Sequence, residues 1–116
     1  MSQSEIKEIE MSIDAAKEIV ERGERAMRLS QNPDFKKVVM DGYFVDEAAR
    51  LVHLYSDPNI SEEIRGHVHR DLLGIGAMKR HLSTLVQMGV FAKNEINESR
   101  EVLDEIRASE IEGANE

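Results

Sequence analysis

A chain of 116 residues carrying 15 basic against 23 acidic groups, a formal charge of −8, is one domain at most and buries only about two-thirds of its unfolded surface. The acidity repels phosphate backbones and anionic lipid, which argues against nucleic-acid and membrane-surface binding. The absence of cysteine removes disulfides, thiolate chemistry and Cys-ligated zinc.

Apolar residues make up 41% and charged residues 33%, with only 2 Pro and 4% aromatics, which points to an all-α fold. The longest apolar run, LLGIGAM at 72–78, is far too short to cross a bilayer. The acidic start MSQSEIKEIE does not read as a signal peptide, and the expected location is the cytoplasm of the cell of synthesis.

The first helix is expected over 4–30. Ile6, Ile9, Ile13, Ala16, Val20, Gly23 and Met27 alternate in steps of three and four, a heptad seam widened by Ile19 and Ala26. Glu18 with Arg22, Glu21 with Arg25 and Glu24 with Arg28 have the i,i+4 spacing of helical ion pairs, each contributing about 0.2–0.5 kcal/mol. A second helix is expected over 33–56, because Asn32 is a good N-cap, Pro33 suits the first helical position and Asp34 favours the positive end of the dipole. Its apolar residues cover most of the circumference, and Asp41-Gly42 marks a kink.

Four of the five aromatics, Phe35, Tyr43, Phe44 and Tyr55, fall in this segment. Together with Val39, Arg50 and Leu51 they are the candidates for a core or a contact surface. Pro58 ends the helix. The third helix is expected over 61–109, about 74 Å at 1.5 Å per residue, with 110–116 fraying. It carries its own seam through Ile75, Met78, Leu82, Leu85, Gly89, Ala92, Ile96, Ser99, Leu103 and Ile106. Residues 90–116 hold three basic groups against eight acidic ones.

Folding back at Pro58 places residue i opposite about 117 − i, so the two seams meet. Val20 then faces Ile96, Met27 faces Gly89, Phe35 faces Leu82, Val39 faces Met78 and Ala49 faces Val68. The expected architecture is a single-domain, elongated antiparallel helical hairpin, helices 1 and 2 against the long helix 3. Residues 33–89 form an apolar head, and 1–30 with 90–111 form a coiled-coil stalk. An apolar face this wide calls for a second copy or a partner protein. The competing arrangement bends helix 3 at Gly74–Gly76 into a compact four-helix bundle.

The motifs that carry chemistry are weak. Glu63, His67 and Asp71 share a helical face but span two turns, too far for one ion, and the pattern fits a solvated ladder better. Glu18-x-x-Glu21 with Glu101-x-x-Asp104 is similar to the magnesium motifs of all-α nucleotide pyrophosphatases. Heptad phase puts all four carboxylates on outer faces, whereas a Mg²⁺ site needs them to converge. No catalytic residue, metal or cofactor is expected. Gly74, Gly76 and Gly89 are read as sites of close helix–helix approach. Arg50 is expected to reach a carboxylate outside its own helix, Asp71 first.

The block NPDFKKVVMDGYFVDEAARLV followed by DLLGIGAMKRHL, covering about residues 32–90, resembles a family of small, charged, helical proteins of tailed bacteriophages. That family has a similar N-P-x-F, G-Y-[FL], E-A-x-R-L-V and I-G pattern. The resemblance implies no catalytic residues. It raises virion assembly as the expected role: a non-enzymatic structural, scaffolding or chaperone-like protein in the infected host's cytoplasm or in the virion, binding itself and other phage structural proteins. The alternative is a phage-encoded binder of a host protein, and metal-dependent nucleotide hydrolysis comes third.

Overall fold

The computed structural model describes residues 2–115. The chain is an all-α helical hairpin with helices α1 (Ser2–Gln31), α2 (Pro33–Phe35), a π-helical segment (Lys36–Glu47), α3 (Ala48–Tyr55) and α4 (Glu62–Asn115). It divides into two compact units, one joining residues up to Glu24 with those from Leu85 onward, the other formed by Arg25–Thr84.

Local chemistry sets the breaks. The Asn32 side-chain oxygen accepts hydrogen bonds from the backbone N–H of Asp34 and of Phe35, both at 3.1 Å, and Pro33 takes the first helical position. Two of the orphan donors at that helix start are thereby satisfied. After Tyr55 the chain turns through Pro58, with Asn59 N–H donating to the Asp57 carboxylate at 2.9 Å. The Ser61 hydroxyl then accepts from Ile64 N–H at 3.2 Å and opens α4. No bend occurs at Gly74 or Gly76: α4 is one helix to Asn115. The fraying expected over 110–116 is therefore not seen up to Asn115, where Ala108, Glu110, Glu112 and Ala114 are strong helix formers; Glu116 lies outside the described residues.

In the unit of the chain ends, α1 runs antiparallel to α4. Ile13, Ala16, Ala92, Ile96 and Leu103 form the buried core, with Ile6, Ile9, Ile19 and Val20 packed against it; Ile106 is half-buried. The register differs from expectation at its tightest point. Gly23, and not Met27, meets Gly89: a Cβ on Gly23 would lie 2.8 Å from the Gly89 Cα and 2.8 Å from the Leu85 carbonyl oxygen. The absence of a Cβ at both positions lets the two backbones approach closely there. Met27, which belongs to the other unit, is 43% exposed, and Ala26 beside it is buried.

Ion pairs on this unit also differ. Lys17 pairs with Asp14 at 3.7 Å, and Arg107 reaches across to Glu10 at 3.2 Å. The expected Glu18–Arg22 pair is not formed, nor is Glu24–Arg28 at the boundary with the other unit; surface pairs of this kind contribute little either way.

In the second unit Phe44, Leu51, Val68 and Ile75 form the core, flanked by Val39, Met40, Ala48, Leu54, Leu72 and Leu82. Ala49 and Met78, expected at the seam, are exposed, and Ala48 takes the inward place. The cause is the 12-residue π-helix, where hydrogen bonds close five residues on and each turn holds more of the chain. Val39 and Phe44, five apart, both reach the core. Gly42 sits inside this segment, where a Cβ would lie 2.9 Å from the Lys37 carbonyl oxygen, five residues back.

The glycines generate a graded expectation. Gly23→Ala loses about 1–3 kcal/mol to overpacking, only partly offset by the roughly 1 kcal/mol gain in helix propensity. Gly89→Ala, whose Cβ would stand 3.0 Å from the Gly23 Cα and 3.5 Å from the Ile19 carbonyl oxygen, costs less. Gly74→Ala and Gly76→Ala meet nothing within 4 Å and stabilise by up to about 1 kcal/mol. Urea melts of the four variants read this order directly. Gly42→Ala drives the π-segment toward α-helical winding, which amide exchange across 36–47 reports as changed protection.

Candidate interaction surfaces

The aromatic block divides between core and surface. Phe44 is buried, 7% exposed, while Tyr43 and Tyr55 are 37% and 38% exposed. Phe35, expected to be buried, is half-buried and stands outside the core cluster. Tyr43 lies beside Phe44 with ring centroids 5.9 Å apart, tilted at 44°, an ordinary aromatic contact. The crowding of aromatics therefore reflects one core residue and three that line the edges of the layer.

Tyr55 anchors the turn between α3 and α4. His69 packs against its ring at 6.1 Å, and the Arg65 guanidinium lies 5.4 Å over it. Arg65 also donates to the Tyr55 carbonyl and, at 3.0 Å, to the Asp57 carbonyl. A planar cation with several donors suits this role, satisfying the last carbonyls of α3 at the negative end of its dipole. Nothing in the sequence pattern marks Arg65, because its partners are backbone atoms ten and eight residues earlier.

Arg50 does not reach Asp71. It donates to the Glu47 carboxylate three residues earlier, and both side chains are largely at the surface. The Glu47 hydrogen bond and charge push the guanidinium further above its ordinary range, and the Asp71 charge adds the smallest contribution. A raised cation stabilises the fold below its unfolded pKa and loses that effect only as pH passes the folded value. For an arginine this window lies far above neutrality, and no pH dependence near 7 follows. The local pair forms because α3 begins just after Glu47, where an i,i+3 partner is within reach.

Chemistry-bearing groups do not converge. Glu18, Glu21, Glu101 and Asp104 are all exposed, and among the described residues no three His, Asp or Glu side chains are placed to hold a metal ion. His67 Nδ1 lies 3.0 Å from the Arg70 guanidinium, a contact within one helix. A charged groove in the unit of the chain ends is lined by Glu10, Asp14, Lys17, Arg100, Asp104 and Arg107, with both signs interleaved.

The larger feature is apolar. Among the described residues nine apolar side chains are buried in the two cores, whereas sixteen large apolar residues stand at 37% exposure or more. Among the latter, Phe91 at 67% is the single Phe outside the aromatic block, and beside it lies a groove of about 400 Å³ lined by Ile19, Gln87, Met88, Phe91, Ala92 and Glu95. Phe91 is off the α4 seam, two residues past Gly89, so a search for seam residues passes it by. No family model, curated protein or solved structure matches the chain.

The split of the aromatic block is measurable. Phe44→Ala is expected to cost about 3–5 kcal/mol, whereas Phe35→Ala costs less than about 2 kcal/mol because its ring gives up less buried area. Thermal melts that rank the two variants the other way round would place the core on the wrong face of the π-segment.

Proposed function

We propose that this chain is a non-enzymatic bacteriophage virion-assembly protein that acts through protein–protein contacts, including contacts with its own copies. One observation carries the reading: each unit is a two-helix layer with a single buried seam, and among the described residues more of its large apolar side chains are exposed than are buried. Isolated monomers rarely keep so much apolar area exposed, and such surfaces mark sites of association. The block at 32–90, with its resemblance to small helical proteins of tailed phages, gives the partners their class: other structural proteins of the same particle.

The acidic surface is consistent with a role away from nucleic acid. Among the described residues no helix is long and apolar enough to cross a membrane. Work of this kind needs reversible interfaces and no catalytic pocket.

The deciding experiment is quantitative mass spectrometry of purified proheads and mature virions from cells infected by the phage that encodes the chain. The expected result is a fixed copy number per particle in proheads, virions or both. Absence from every particle form, together with a stoichiometric complex with one host protein, would replace the assembly reading with that of a host-directed binder.

A further inference from the structure

We infer that α4 pairs with a second copy of the same chain, antiparallel, through the surface centred on Phe91. This rests on the self-association part of the proposed function and assigns it a surface, away from the aromatic block that the sequence favours.

Three features of the unit formed by the chain ends support the assignment. First, knob and hole are on one surface. Phe91 projects at 67% exposure beside a groove of about 400 Å³ whose other apolar walls are Ile19, Met88 and Ala92, and a cavity of about 150 Å³ already admits a benzene ring. A patch that carries both parts is self-complementary, which is what a two-fold interface requires. The partner's ring enters the groove beside the first Phe91, in the offset geometry that aromatic pairs prefer, against the polarizable sulfur of Met88.

Second, polarity fixes the direction. Gln87 and Glu95 flank Phe91 four residues to either side on the rim of the groove. An antiparallel copy crossing at Phe91 sets the Gln87 amide against the Glu95 carboxylate at both ends, two charge-assisted hydrogen bonds related by symmetry. A parallel copy sets Glu95 against Glu95, and like charges disfavour it.

Third, the groups concerned are uncommitted. Among the described residues neither Gln87 nor Glu95 has a hydrogen-bond or ion-pair partner within the chain. Met88, at 50% exposure, is equally open.

The test uses the full chain, whose lack of cysteine leaves engineered thiols unambiguous. Sedimentation equilibrium from about 1 μM to 1 mM gives the dissociation constant of wild type and of Phe91→Gln. Helix propensity is nearly kept in that variant, and the exposure of Phe91 in the single chain leaves the melting temperature unchanged at dilutions where wild type is monomeric. The expected result is concentration-dependent dimerisation of wild type, weakened at least about tenfold in Phe91→Gln.

Mixing a Gln87→Cys chain with an equal amount of a Glu95→Cys chain under mild oxidation should give the mixed disulfide well above the roughly half of all cross-linked pairs that random pairing yields. In the antiparallel pair positions 87 and 95 face each other, while two copies of either position are offset by about 12 Å along the axis. Dimerisation that ignores Phe91→Gln, or a mixed disulfide no more abundant than random pairing gives, overturns this surface and leaves self-association standing. A wild-type chain that stays monomeric throughout overturns both.

Discussion

Two helices laid side by side bury one stripe each, and the structure follows from that limit. In both units the seam is a single file: Ile13, Ala16, Ala92, Ile96 and Leu103 in one, Phe44, Leu51, Val68 and Ile75 in the other. Among the described residues no side chain is fully enclosed; the best-buried core residue, Ala92, is still 3% exposed. A layer of this kind gains from close backbone approach, because every ångström of separation opens its thin core to water. The Gly23–Gly89 contact is one point of such close approach, and small residues nearby, Ala16, Ala26 and Ala92, keep the backbones close in their own units.

Much of this organisation is legible in the sequence, since its causes are local. The three-and-four spacing of Ile6, Ile9, Ile13 and Val20, matched by Ile96, Leu103 and Ile106, reads as paired seams because an α-helix returns a side chain to the same face at that interval. Asn32-Pro33 and Pro58 mark breaks through fixed backbone chemistry. Gly89 was legible as a place of close approach, whereas Gly74 and Gly76 carry the same residue type and face open space. A glycine shows that approach is permitted; only the partner helix decides whether it happens.

What escaped the sequence depends on winding and on distant partners. The three-and-four spacing of α4 puts Met78 at the seam, and the fold-back at Pro58 sets Ala49 opposite Val68. The π-helical winding of 36–47 brings Val39 and Phe44 inward at a spacing of five, while Ala49 and Met78 stay exposed. Arg50 pairs with Glu47 one helical turn back, so the remote carboxylate is not reached. Arg65 is invisible to pattern because it binds carbonyl groups, which every residue owns. Phe91 is missed for the opposite reason: its residue type suggests burial, and its phase on α4 turns it to solvent.

The open outer face of α4 links fold to role, and its accessibility is the most direct measure of the account. Carbene footprinting of the whole chain, dilute and concentrated, labels side chains according to contact with solvent. The expected result is strong labelling of Phe91 and Met88 in dilute solution, loss of that labelling on concentration, and protection of Ile96 and Leu103 in both. Protection of Phe91 and Met88 even at the lowest concentration would contradict it, because the outer face of α4 would then already be covered within a single chain.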